Sequence, residues 1–80
     1  MLKILEDRSL DARGLACPMP ILKTAKEIKT MEEGQILKVL TTDRGSLADF
    51  PAWAADTGNE VLSTEEEEGF LVFMIRRSSL

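Results

Sequence analysis

Near the end of this 80-residue chain runs an unbroken apolar stretch, Phe70-Leu71-Val72-Phe73-Met74-Ile75. A strand that is apolar on both faces needs cover on both, so it belongs inside a sheet, not at its edge. The rest of the chain must therefore supply flanking strands and at least one covering layer. The pattern upstream offers both. A short extended segment lies within Ile4–Asp11 and is followed by a turn at Arg13-Gly14-Leu15. A helix is expected from about Pro18 to Met31, with Ile21, Leu22, Ala25, Ile28 and Met31 forming one apolar face and Gly34 ending it. Gln35–Thr41 alternates as a strand, with Leu37 and Val39 on one face and Ile36 and Leu40 on the other.

A second helix follows Asp43-Arg44-Gly45. Ser46 and Asp49 there resemble a capping box with Asp in place of Glu. Leu47, Phe50 and Ala54 share a side, and Gly58-Asn59 is a stop signal. Pro51 removes a backbone donor and clashes one turn back, which predicts either a kink or a helix restarting near it. Glu60–Thr64 is a third strand, Glu65–Glu68 a solvated turn, Gly69–Ile75 the fourth strand, and Arg76 to Leu80 a fraying tail. The predicted order is βαβαββ. Right-handed crossovers place both helices on one side, giving an α/β (α+β) two-layer sandwich: a mixed four-stranded sheet with two helices on one face. The other sheet face is then partly bare, and its apolar residues suit an interface.

Length is compatible with one domain, residues 1–80. Lys3, Glu6, Asp7 and Arg8 interrupt any leader-like apolar run, and no stretch nears the roughly 20 apolar residues of a membrane span. The single cysteine, Cys17, cannot close an internal disulfide, so a cytoplasmic location is expected. With no histidine and one cysteine, Ser-His-Asp and Cys-His catalysis and the common zinc sets are excluded. No cofactor or metal is called for. Net charge is −4, a poor basis for binding nucleic acid directly.

The residues that carry chemistry lie at Leu15-Ala16-Cys17-Pro18-Met19-Pro20. Pro18 drives Cys17 out of helical geometry and is itself favoured at a helix start. Cys17 is thus expected at the N-cap, where the helix end and the free N–H groups of Met19 and Ile21 stabilise a thiolate and lower its pKa. Topology brings Arg44, after the second strand, and Arg13, in the same turn, near the thiol as electrostatic neighbours. Without a base or a second cysteine, such a thiolate can exchange sulfur with another molecule.

The stretch Leu10-Asp11-Ala12-Arg13-Gly14-Leu15-Ala16-Cys17-Pro18-Met19-Pro20 resembles the signature of the TusA/SirA-like sulfur carriers, a Cys-Pro-x-Pro motif in a Leu-Asp-x-x-Gly-Leu context. Asp43–Trp53 and the strand ending Ile75-Arg76-Arg77 are similar to that family too. The resemblance implies a fold like the C-terminal domain of translation initiation factor 3, with sheet order 1-2-4-3 and the last strand antiparallel. It implies that Cys17 carries a persulfide and that Pro18, Met19 and Pro20 shape the helix start. The implied donor is a cysteine desulfurase or a rhodanese-like protein. The acceptor is a sulfur-relay protein, in one branch leading to tRNA thiolation. From the chain's own charge and hydropathy no direct contact with nucleic acid or membrane is expected, and a monomer or weak dimer is expected. That branch has Arg before the cysteine and Glu between the prolines; here Ala16 and Met19 stand there, which implies altered donor and acceptor surfaces. Whether carriage of this kind makes the chain an enzyme, as a sulfurtransferase, is left open by the sequence. Two other readings fit the residues: a thiol redox sensor or regulator, and a non-catalytic interaction module using the bare sheet face.

Overall fold

The computed structural model describes residues 5–78. Ile4 of the expected first strand, Lys3, and the Ser79-Leu80 end of the tail lie outside them. The elements are β1 (Arg8–Ala12), α1 (Met19–Ile28), β2 (Ile36–Thr41), α2 (Ser46–Thr57), β3 (Glu60–Glu67) and β4 (Phe70–Arg76). The sheet order is β1-β2-β4-β3. β1 and β2 run parallel, while β4 is antiparallel to both neighbours. This is a mixed α+β sheet with the apolar β4 inside it, as the Phe70–Ile75 run requires.

One side of the sheet is sealed. Leu37 and Val39 of β2 and Leu71, Phe73 and Ile75 of β4 are buried, and Ile28 of α1 and Phe50 of α2 join them in a single cluster. Phe50 stacks on Phe73 with ring centroids 4.5 Å apart, and Trp53 meets Phe50 edge-on at 6.2 Å. Such pairs add about 0.5–1.5 kcal/mol beyond area burial. The other side is mixed: Leu40 and Val72 are half-buried among Lys38, Glu65 and Asp11.

Several boundaries differ from the periodicity. α1 begins at Met19 with Pro18 as N-cap, so Cys17 lies just outside the helix and does not cap it. Pro20, Thr24 and Ile28 are the buried ridge. Leu22, expected on the apolar face, is 53% exposed. Four-residue spacing from the buried Pro20 sets the helix rotation, and Leu22 lies about 200° round from Pro20. α1 also stops earlier than expected, at Ile28. Gly34 instead serves the turn into β2 with φ +86°.

Pro51 sits inside a continuous α2. The first turn of α2 is tightened, with Ser46, Leu47 and Ala48 N–H groups donating to the Asp43, Arg44 and Gly45 carbonyls, three residues back. The Ser46–Asp49 capping box is absent: Gly45 is the N-cap and no side chain caps. Ser46 is instead buried, its Oγ 3.3 Å from Thr41 Oγ1. It takes the inward place expected of Leu47, which is 41% exposed. Gly58 ends α2 in the left-handed conformation, as its stop signal predicts.

The four-glutamate segment is a correction of another kind. Glu65, Glu66 and Glu67 belong to β3, and only Glu68-Gly69 makes the turn. Pairing with the apolar β4 on one side holds them extended despite their charge. Gly69, at φ +88°, absorbs the positive φ that the tight reversal demands.

Candidate functional site

One register row runs across the sheet at one end: Ala12 opposite Thr41, Thr41 opposite Leu71, and Leu71 opposite Glu66. The segments just beyond it share one edge. They are the β1–α1 loop with Cys17, the β2–α2 loop with Asp43 and Arg44, and the β3–β4 turn. Open α/β sheets place their sites at the carboxyl ends of parallel strands for this reason.

The cysteine loop is pinned at both ends. Leu15 packs against the core and Pro20 is buried, while Ala16, Cys17, Pro18 and Met19 between them are exposed. Gly14 N–H donates to Thr42 Oγ1 at 2.9 Å, which ties the loop to the start of the β2–α2 connection. On that connection, Asp43 N–H donates to the buried Thr41 Oγ1 at 3.1 Å, and Gly45 N–H donates to Asp43 Oδ1 at 3.3 Å. These bonds fix the Asp43 carboxylate, and α2 carries Asp49 in its first turn beside it.

The result is a compact group. Cys17 Sγ and one carboxylate oxygen each from Asp43 and Asp49 all lie within 4.8 Å of one another. Asp43 Oδ2 is buried and accepts no hydrogen bond. Gly45 leaves the two carboxylates room, since a Cβ there would stand 3.3 Å from Asp43 Oδ2 and 3.6 Å from Asp49 Oδ2. A thiolate with two carboxylates is a three-donor set of a kind that holds divalent cations.

This arrangement reverses the expected charge environment of the thiol. The Asp49 carboxylate acting as hydrogen-bond acceptor, partial burial, and then the negative charges of Asp49 and Asp43 push the Cys17 thiol above its ordinary value. The helix end has little effect for two reasons. Cys17 precedes the N-cap, and the Met19 N–H expected to face the sulfur donates to Ala16 carbonyl at 2.9 Å.

Neither arginine counters the carboxylates. Arg13 pairs with Asp11 through 2.9 Å contacts and lies over the Phe70 ring, 5.1 Å from its centroid. Its guanidinium holds Asp11 down at about 2. Arg44 pairs with Glu66 at 2.9 Å. Both are on the Cys17 edge, as topology predicts, but each serves another carboxylate. Asp49 escaped the sequence reading because Ser46-x-x-Asp49 looked like a cap. The available signal was position: an acid early in the helix after β2 faces the same edge as the loop after β1.

Around the thiol the exposed surface is apolar as well as acidic. Met19 and Leu47, in the first turns of the two helices, are each 41% exposed. At the opposite edge, a groove lined by Glu33, Glu60, Arg76 and Arg77 has its cations engaged internally. Arg76 pairs with Glu60, and Arg77 donates to the Lys29 and Met31 carbonyls. No described helix is long and apolar enough to cross a membrane.

Residues 8–77 match the family described as sulfurtransferase TusA. The sulfur carrier protein TusA of Allochromatium vinosum is 49% identical over 72 residues, which cover 90% of this chain and 95% of that one. A longer Bacillus subtilis protein, YrkF, is 52% identical over 68 residues, covering 85% of this chain and 37% of that protein. The crystal structure of a SirA-like protein from Desulfitobacterium hafniense superposes with a TM-score of 0.71 at 25% identity, covering 90% of this chain and 99% of that one. Fold, an exposed Cys17 at a helix start and matching sequence together place the chain in the TusA family of sulfur carrier proteins.

Proposed function

We propose that this chain carries sulfane sulfur as a persulfide on Cys17, taking it from a donor protein and delivering it to a thiol of an acceptor protein. The observation that carries the reading is an exposed cysteine at the start of α1 in a chain of the TusA family. The exchange needs no internal base beyond solvent. The Cys17 thiol loses its proton, and the thiolate attacks the outer sulfur of a donor persulfide. A Cys17 Sγ–S bond forms as the donor S–S bond breaks, and the departing donor thiolate takes up a proton. Delivery repeats the step with the acceptor thiolate attacking and Cys17 leaving. Electrons are conserved in both directions, so no oxidant or reductant is required.

The residues fit this cycle. Pro20 and Leu15 hold the loop outward, so that a partner can reach the sulfur. A thiol whose pKa lies high attacks only through its small deprotonated fraction and is a slow leaving group. It also resists oxidation, which weighs against the redox-sensor reading. A cysteine desulfurase or rhodanese-like protein fits as donor and a relay protein as acceptor. Carboxylates around the thiol disfavour direct handling of tRNA, so any thiolated tRNA is made downstream. A reducing compartment such as the cytoplasm suits a lone carrier thiol.

Intact-protein mass spectrometry after incubation with a cysteine desulfurase and cysteine tests the reading. A reducible gain of one sulfur atom is expected, and it disappears in Cys17→Ser. No gain from desulfurase or from a persulfide-loaded rhodanese would reject carriage at Cys17.

A further inference from the structure

The outer face of α1 carries charge that nothing in the fold uses. Met19, Leu22, Lys23, Lys26 and Lys29 are exposed. They share an arc of about 120° on a 3.6-residue wheel, opposite the buried Pro20, Thr24 and Ile28. No acid lies on that arc. Glu27, the one acid of α1, sits at its margin and is taken by Arg8 of β1 at 2.7 Å. Arg8, Arg13, Arg44 and Arg76 each pair with a carboxylate, whereas among the described residues Lys23, Lys26 and Lys29 pair with none. A chain of net charge −4 thus presents a basic stripe on the helix that begins beside Cys17.

The stripe ends at a cavity. Seven residues beyond Leu22, about 10 Å along the helix, Lys29 lines a cleft of about 200 Å³ between α1 and α2, walled by Ala25, Ile28 and Trp53. The polar groups of this cleft are engaged with one another. Thr57 Oγ1 donates to the Trp53 carbonyl at 2.8 Å, Asn59 Nδ2 donates to Thr57 Oγ1 at 2.8 Å, and Asn59 Oδ1 accepts the Ser78 N–H at 2.7 Å. What the cleft offers is apolar contact beside the Lys29 ammonium group. It is smaller than the roughly 300–1,000 Å³ of small-molecule sites and suits one large apolar side chain.

We infer that this face of α1, from Leu22 to the Trp53 cleft, is a docking surface for an acidic segment of a partner protein. The segment's carboxylates meet Lys23, Lys26 and Lys29, and one large apolar side chain fills the cleft. Charge complementarity selects the occupant, and a filled pocket flanked by exposed ion pairs is how interface anchors are built. Nucleic acid would leave the apolar cleft empty and meet the net negative charge of the chain. That the partner exchanges sulfur with Cys17 rests on the carrier reading, because the stripe begins two residues from the thiol; the docking itself does not.

The test titrates the full chain with a synthetic peptide of three glutamates followed by one phenylalanine, read by Trp53 fluorescence and amide NMR. Controls are a Glu→Gln peptide, a Phe→Ala peptide and a single-stranded RNA oligonucleotide. The acidic peptide should shift Trp53 emission and the amides of α1. An exposed ion pair contributes about a factor of two, so the Glu→Gln peptide should bind about eightfold more weakly. The same loss is expected for the triple variant Lys23→Gln, Lys26→Gln, Lys29→Gln, and added salt should reproduce it in the wild type. Lys38→Gln, on the other sheet face, should leave binding unchanged. The Phe→Ala peptide should lose about tenfold or more and leave Trp53 unmoved. Gln matches Lys in helix propensity, so the triple variant keeps α1 intact.

Unmoved Trp53 and α1 signals would overturn the inference, as would a triple variant that binds the acidic peptide as tightly as the wild type. Tighter binding of the RNA on the same face would overturn it in favour of nucleic acid. Changes in the α1 signals with protein concentration alone would make a second copy the occupant, and changes at Trp53 on removing Ser79-Leu80 would make it the chain's own end; either overturns the proposal. Persulfide loading of Cys17 is measured in parallel by intact mass. Docking without loading from any donor would reject the carrier reading and leave the docking surface standing.

Discussion

The same conservative substitution, Thr→Val, should act with opposite signs at two fully buried positions. Thr24 on α1 and Thr41 on β2 both have no exposed surface. Thr24 Oγ1 is buried without a hydrogen-bond partner. Replacing it with Val removes a desolvated hydroxyl and fills the same space, so Thr24→Val should stabilise by about 1 kcal/mol. Thr41 Oγ1 accepts the Asp43 N–H at 3.1 Å and lies 3.3 Å from Ser46 Oγ. Thr41→Val strands a backbone donor and a buried hydroxyl, a destabilisation of about 2 kcal/mol within a range of roughly 1–3. The better β-propensity of Val offsets only a few tenths of this. The assay is urea unfolding followed by the fluorescence of Trp53, the single tryptophan, with thermal melts as a check. At about 4–8 °C per kcal/mol for a domain of this size, the two melting temperatures should move about 4–8 °C up and about 8–16 °C down. Thr41→Val should also loosen the Asp43 loop and change the alkylation rate of Cys17, whereas Thr24→Val should not. Shifts of the same sign at both sites would refute the reasoning from hydrogen-bond satisfaction.

Three further outcomes follow from the same geometry. Phe50→Leu and Phe73→Leu should each destabilise by about 1–2 kcal/mol, and a double-mutant cycle should return a coupling of about 0.5–1.5 kcal/mol; additive effects would mean that the 4.5 Å stack contributes nothing specific. Asp11, held by Arg13, should titrate at about 2 by carboxyl NMR. Its depressed pKa gives stability that is full above about 4 and lost as pH falls toward 2, and Asp11→Asn should remove that part of the acid slope. Gly69→Ala should destabilise by about 1–2 kcal/mol from backbone strain alone, because its Cβ would meet nothing within 4 Å; a neutral result would mean that the hairpin relaxes to another turn.

Much of this protein is legible one element at a time. The Phe70–Ile75 run demanded an inner strand, and the sheet order β1-β2-β4-β3 supplies it. Alternation in β2 and the Gly58 stop were local signals obeyed locally. Pro18 and Pro20 marked the start of α1 to within a residue, since their steric limits act on immediate neighbours. The errors arose where a distant surface decided. Thr24 is buried and Leu22 exposed because the helix docks on the ridge from Pro20, which periodicity alone could not rotate into place. Glu65–Glu67 are in a strand because β4 needs a partner along its edge, whatever their local preference.

The site divides in the same way. That Cys17 is an exposed thiol at a helix start is a property of Leu15–Pro20, since two prolines and two anchored flanking residues suffice to present it. What charge it faces depends on loops from separate strands meeting at one sheet edge. Helix-end reasoning predicted a lowered pKa, and counting cations after β1 and β2 predicted help from Arg13 and Arg44. Register and hydrogen bonding instead pair those arginines with Asp11 and Glu66 and bring Asp43 and Asp49 to the sulfur. The identity of the nucleophile was thus written in consecutive residues, while its reactivity was decided only by the tertiary structure, because Coulomb interactions depend on distances that no stretch of chain specifies by itself.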